Sequence, residues 1–225
     1  LSSVEAGEIV ALHCGNVTVR DSSGSLEAFR CGTVRVDGLR ASRGDFGAFF
    51  QEASIVELCN SSFSFNDVVG AVAQDVQSFH AESCQFLDDG LWLFNYMYGY
   101  EKHSVENCTV DGKPLLYFYG EAEVSVGQSC GQVIAISCQS VSIRDSTACF
   151  EAVSVERFDA ANVVHIGNDV GGVVQGAAAA SLVNCSISET NAYGLSLVAE
   201  FVRIHNSTFC GHRLGGVGIS QVKEG

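Results

Sequence analysis

Adjacent carboxylates at Asp88 and Asp89 are where this chain could do acid–base chemistry; Asn66-Asp67 stands 22 residues earlier and Gly211-His212-Arg213 near the end. Glycoside hydrolysis places two carboxyl groups ~5–10 Å apart with the sugar between them. Cleavage of acidic sugars by elimination would need an Asp/Glu cage for calcium beside a basic residue, and Arg144, Arg157 and Arg203 flank no such cluster in the sequence. The six histidines, His13, His80, His103, His165, His205 and His212, could hold copper or zinc only if several met within ~2 Å of one point. The aromatic run from Phe94 to Tyr100, followed by Tyr117, Phe118 and Tyr119, could form a sugar platform, but stacking within the fold is the simpler use of it. Asn-x-Ser/Thr sequons occur at Asn16, Asn60, Asn107, Asn184 and Asn206 and are candidate glycosylation sites.

A repeat must position all of these. Apolar pairs two residues apart recur at Val17/Val19, Val34/Val36, Val56/Leu58, Phe79/Ala81, His103/Val105, Val124/Val126, Val141/Ile143, Val164/Ile166, Ala180/Leu182 and Val202/Ile204. The second residue after each pair is a turn former or polar: Asp21, Gly38, Asn60, Ser83, Asn107, Gln128, Asp145, Asn168, Asn184 and Asn206. Asn and Asp tolerate the left-handed backbone of a sharp corner, and stacked Asn side chains bond one another in ladders. A glycine opens the next alternating run at Gly47, Gly70, Gly90, Gly194 and Gly216, with the sole proline, Pro114, in that place once.

Short strands, period-2 alternation and one corner per ~20 residues predict an all-β, single-stranded parallel β-helix, a solenoid of about ten coils, as one domain over residues 1–225. At ~4.8 Å per coil it would be a rod of ~45–50 Å. His212 then stands about six coils from Asp88-Asp89, ~25–30 Å away, so that pair reads as a solvated corner and not as a catalytic site. His103 falls on an apolar strand position and His80 one residue off it, so the two face opposite ways. No metal and no cofactor is expected.

Ten cysteines are many for 225 residues. No C-x-x-C and no zinc-like Cys/His spacing occurs, so an oxidising compartment with disulfides is expected. Candidates are Cys14, Cys31, Cys59, Cys84, Cys108, Cys130, Cys138, Cys149, Cys185 and Cys210. Counted from the corners, Cys14, Cys31 and Cys138 share one column, and Cys84, Cys108 and Cys185 another. Neighbours in a column lie ~4.8 Å apart, within disulfide reach, which pairs Cys14 with Cys31 and Cys84 with Cys108. Cysteines lacking such a neighbour would bond another subunit.

Residues 105–119 (VENCTVDGKPLLYFY) followed by 131–138 (GQVIAISC) resemble the archaeal right-handed parallel β-helix repeat proteins, in the wider pectate-lyase-like group. The resemblance implies a right-handed coil. It leaves activity open, because that fold hosts lyases, hydrolases, adhesins and surface-layer modules.

Composition narrows function further. With 26 acidic and 12 basic residues the formal charge is −14, which disfavours nucleic acid. No apolar run approaches the ~18 residues of a membrane span, and no signal-peptide pattern opens the chain. No capping helix or flap is evident at either end. An open coil would offer on the order of ten backbone hydrogen bonds, each worth roughly 1 kcal/mol net, to another subunit. These properties are similar to those of archaeal envelope proteins, such as surface-layer modules and the sheaths of filamentous methanogens. They predict a non-enzymatic, extracellular structural protein that self-assembles by strand edges and interchain disulfides. The alternative is a carbohydrate-binding or carbohydrate-active β-helix protein at the cell surface, with cell-surface polysaccharide as partner.

Overall fold

The computed structural model describes residues 5–127, 129–167, 171–191 and 193–220, and all their regular structure is β-strand. The chain divides into two compact units, Leu1–Pro114 and Leu115–Gly225.

Three parallel ladders build the first unit. One joins Asn16–Arg20, Thr33–Asp37, Ile55–Cys59, Ser78–Glu82 and Ser104–Glu106. A short one joins Arg40–Ser42, Ser62–Ser64, Gln85–Leu87 and Thr109–Val110. A third joins Glu5–Leu12, Ser23–Phe29, Phe46–Gln51, Val69–Gln74 and Leu91–Phe94. Alternation explains the facing. Val34, Val36, Val56, Leu58, Phe79 and Ala81 are buried, while Arg35, Glu57 and His80 between them point outward. Phenylalanines stack from one strand to the next, Phe63 on Phe86 with ring centroids 5.1 Å apart. Thr109–Val110 folds back antiparallel on Lys113 and Pro114 through Asp111-Gly112, both at positive φ (51° and 70°), the two-residue turn that Asp-Gly favours.

The second unit repeats the plan. Residues 115–119, Gln132–Ile136, Cys149–Val153, the first part of Gly172–Val183, the first part of Tyr193–His205 and Gly215–Ser220 form one ladder. Glu123–Val126, Ser140–Arg144, Arg157–Ala161 and the later parts of the same two long strands form the next. Val164–Ile166, Ser186–Ser188 and Thr208–Cys210 form the short one. Phe150 packs on Phe158 at 4.9 Å in the core. This all-β, parallel pairing is compatible with a solenoid.

Left-handed residues close the strands in three columns. Asp21, Gly38, Asn60, Ser83, Asn107, Asp145, Asn184 and Asn206 all have positive φ, as the spacing predicts; Gln128 and Asn168 lie outside the described residues. One repeat is misframed in the sequence reading. Val164–Ile166 belongs to the short ladder, and the strand that continues the corner ladder is Arg157–Ala161, with Phe158 and Ala160 inward and Asn162 at the corner (φ 54°). Both segments alternate and precede an asparagine, and Val/Ile is the stronger apolar pair, so pattern alone selects the wrong one.

Three of the glycine landmarks, Gly47, Gly70 and Gly194, mark places where strands approach too closely for a side chain. A Cβ on Gly70 would lie 2.8 Å from the Phe86 ring and 3.0 Å from the Gly90 carbonyl oxygen, and one on Gly194 2.6 Å from the Gly216 carbonyl oxygen.

Candidate functional site

The corner asparagines form the expected ladder. Asn206 Nδ2 donates to Asn184 Oδ1 (2.8 Å), Asn184 Nδ2 to Asn162 Oδ1 (3.2 Å), and Asn162 Nδ2 to Asp145 Oδ1 (2.8 Å). In the first unit Gly38 offers no side chain, and Asn60 Nδ2 reaches Asp37 Oδ1 instead (2.8 Å).

All ten cysteines are free, so the expected Cys14–Cys31 and Cys84–Cys108 disulfides are not formed. Six follow a left-handed residue directly and have a different task. The Sγ–H of Cys14, Cys31, Cys84, Cys108, Cys138 and Cys185 donates to the carbonyl two residues back, at Leu12, Phe29, Glu82, Glu106, Ile136 and Val183 (3.3–3.6 Å). Serine does the same at Ser22, Ser61 and Ser207. The thiol adds a second hydrogen bond to a carbonyl that, at Phe29, Glu82, Glu106, Ile136 and Val183, already accepts a backbone N–H (3.0 Å) from His13, Asn60, Ser83, Gly120 and Asn162. Burial pushes the Cys59, Cys138 and Cys185 thiols up. The thiol–thiol contact with Cys108 and burial push Cys84 up as well. Thiols held protonated are poor partners for disulfide exchange. Cys210 alone is exposed rather than buried or half-buried.

Asp89 is not solvated. It is 0% exposed and accepts from Asn66 N (3.2 Å) and Asn66 Nδ2 (2.8 Å), while Asn66 Oδ1 accepts from Gly44 N (3.2 Å). Burial lifts its carboxyl to about 7 against those two donors. Asp88 holds the adjoining corner (φ 53°), its N–H on Asp111 Oδ1 (2.8 Å), and Asp67 is exposed. Asp89 is thus a structural carboxyl sealed from any substrate.

His80 and His103 face opposite ways. His80 Nδ1 meets Ser104 Oγ (2.6 Å) on the outer face, and His103 is buried beside Phe79 and Tyr100. Burial lowers His103 to about 4, so it is neutral and its Nε2 takes the Asn95 amide (3.1 Å). His13 and His205 are exposed, His165 is buried, and His212 meets Thr190 Oγ1 (2.8 Å). Among the described residues no three His, Cys, Asp or Glu side chains are placed to share a metal ion. The aromatic run is split. Tyr100 is buried with its hydroxyl on Asn95 N (2.8 Å), Trp92 stacks on Phe94, and Tyr96 is 68% exposed.

One concave surface of the second unit lies over residues 176–181 (GAAAAS), apart from a hollow of about 490 Å³ lined by Leu116, Phe118 and Val126. Gly176 turns the corner at φ 71°, and Ala178, Ala179 and Ser181 form an outward floor of small side chains. The strands on either side carry larger ones. Glu156, Arg157 and Asp159 rise on one side and Val198, Glu200, Phe201 and Arg203 on the other, with Arg157, Ala179 and Phe201 in register, and likewise Asp159, Ser181 and Arg203. The result is a trench with two adjoining hollows of about 590 and 330 Å³. Strand spacing sets its walls ~10 Å apart, and six extended residues give it a length of ~20 Å. Arg157 Nε is paired with Asp159 Oδ2 (2.6 Å), which raises the guanidinium pKa. Phe201 is 55% exposed beside them. The sequence reading singled out Arg157 and Arg203 but not the trench. Its signal was the run of four alanines after Gln175-Gly176, of which Ala177 and Ala180 face the core while Ala178 and Ala179 leave the outer face low.

A smaller hollow of about 310 Å³ in the first unit is lined by Arg20, Arg35, Asp37, Glu57, Cys59 and Glu82, with Arg35 Nε on Glu57 Oε2 (2.7 Å).

Comparison with known protein families, with curated proteins and with solved structures finds no match for this chain.

Proposed function

We propose that this chain is a stretch of right-handed parallel β-helix of about ten coils, resembling those of archaeal surface proteins, that binds a neutral glycan in the trench over residues 176–181 without cleaving it. The trench carries the reading. A long, open groove suits an extended chain better than a compact molecule. Arg157, Asp159, Glu156, Glu200 and Arg203 offer donors and acceptors suited to hydroxyl groups, and an exposed ring such as Phe201 suits the apolar face of a sugar. Three wall carboxylates against two guanidiniums, on a chain of net charge −14, favour a neutral polymer over a polyanion. A glycan-binding role places the protein outside the cell, at the cell surface.

Affinity electrophoresis in gels containing a soluble neutral β-glucan, a mannan or polygalacturonate tests it. Retardation by a neutral polymer, abolished by Ala178→Trp with the thermal melt unchanged, supports the reading. Equal retardation of the filled-trench variant, or retardation by polygalacturonate alone, overturns it. Release of reducing ends would make the protein an enzyme, with Glu156 and Glu200 facing each other across the trench as the carboxylates to test.

A second reading, a building block of a cell-envelope layer or sheath, draws on the last ladder. Among the described residues Gly215–Ser220 is paired on one side only, with Leu214, Val217 and Ile219 exposed near Cys210. A further strand, from this polypeptide or from a second copy, would complete it. Sedimentation with and without reductant reads out the second copy.

A further inference from the structure

We infer that Asn16 and Asn107 are the acceptors for N-linked glycans in this chain, and that the other three sequons are closed to them. The inference rests on the proposed cell-surface location, not on the trench. All five asparagines are exposed, so exposure does not separate them; the state of the amide does. Asn60 Nδ2 is held by Asp37, Asn184 Nδ2 by Asn162, and Asn206 Nδ2 by Asn184. Asn184 is held from both sides, since its Oδ1 also accepts from Asn206.

Successive rungs of such a ladder are ~4.8 Å apart, and a pyranose ring on Asn184 Nδ2 would have to stand in that gap. Among the described residues the side-chain amides of Asn16 and Asn107 make no hydrogen bond. Asn16 opens the strand Asn16–Arg20, and Asn107 sits at a corner with φ 52°, its amide directed to solvent.

The reaction is transfer from a lipid-pyrophosphate-linked oligosaccharide, catalysed by an oligosaccharyltransferase. Asn Nδ2 forms the bond to the anomeric carbon, the bond from that carbon to the pyrophosphate oxygen breaks, lipid pyrophosphate leaves, and one amide proton passes to the enzyme's base. A modified Asn16 or Asn107 loses nothing the fold uses. A modified Asn184 loses its rung and its neighbour's geometry.

Secretion of the chain from an N-glycosylating eukaryotic cell, followed by peptide-N-glycosidase release in oxygen-18 water and peptide mass spectrometry, reads each site. The expected result is labelled Asp at positions 16 and 107 in the secreted protein, and unlabelled Asn at 60, 184 and 206. Thr18→Ala and Thr109→Ala should each remove one label. Asp37→Ala, which frees the Asn60 amide without touching its sequon, should add a label at 60. Label at 184 or 206 in secreted protein of unchanged melting temperature overturns the inference, as does the absence of label at both 16 and 107. Neither result bears on glycan binding in the trench, which the electrophoresis reads separately.

Discussion

Replacing Asp89 by Asn should make the protein more stable in a way that depends on pH. The wild-type carboxyl sits at about 7 in the fold against an ordinary 3.8. Because the folded value is raised, its contribution is fully present below the unfolded value and is lost as pH rises through the folded one. In that window the unfolded chain releases the proton while the folded chain keeps it. At ~1.36 kcal/mol per pH unit the difference between about pH 4 and pH 7 is roughly 4 kcal/mol. Asn is nearly isosteric, and its Oδ1 can still accept from Asn66 Nδ2, but it carries no charge to desolvate. Urea unfolding of wild type and Asp89→Asn at a series of pH values isolates the effect, since every other titrating group is common to both. The two should be close near pH 4, and the variant should lead by several kcal/mol at pH 8. A difference that does not change with pH, or a variant that falls below wild type at pH 8, refutes the reasoning that burial controls this carboxyl.

Other perturbations test the corners and the glycine column. Asn184→Ala should cost ~1–3 kcal/mol, from the left-handed backbone and two lost rungs, whereas Asn184→Gly should recover the backbone part; thermal melts separate the two. Gly194→Ala should cost at least ~1–3 kcal/mol because its Cβ meets His212 and the Gly216 carbonyl, while Gly218→Ala, with open space around it, should change the midpoint little. Cys185→Ser should be nearly neutral, since Ser207 already donates to its own carbonyl two residues back, and Cys185→Ala should cost about 1 kcal/mol or less, since the Val183 carbonyl keeps the Asn162 N–H (3.0 Å) when the thiol is gone. A disulfide reagent added to native protein should modify Cys210 first and leave Cys84, Cys138 and Cys185 unreacted until the protein unfolds.

Corners and strands were legible because each leaves a mark one residue wide. In the corner column the left-handed position is held by Asn, Asp, Ser or Gly, and an inward position by an apolar side chain. Arg157–Ala161 escaped because Val164–Ile166, seven residues on, shows the same alternation ahead of an asparagine with a stronger apolar pair. Asp89 was misread for a related reason. Its neighbour Asp88 is a corner, and sequence gives no sign that the next residue turns inward to meet Asn66 from the preceding strand. Cys14 with Cys31 and Cys84 with Cys108 do stand on neighbouring strands, but as free thiols and not as the expected disulfides. A thiol after a left-handed residue can cap a carbonyl or join its neighbour, and the column position is the same for both. The serines at equivalent positions, Ser22, Ser61 and Ser207, were the available clue. The trench depends on side-chain size in three adjacent strands at once, which a reading along one repeat does not compare.

Every amide in the asparagine row points the same way. Asn206, Asn184 and Asn162 each give a proton toward the lower-numbered neighbour, and the row stops on the carboxylate of Asp145; Asn60 likewise stops on Asp37. Each donor polarises the next, and the negative charge at the bottom strengthens the first link. Such a row has a foot and a growing tip, because the carboxylate can only receive while Asn206 still has an oxygen to offer. Appending another turn of chain above Asn206 would therefore need nothing more than one more asparagine, whereas a turn beneath Asp145 would have to turn a donor up to the carboxylate, reversing the direction of the row.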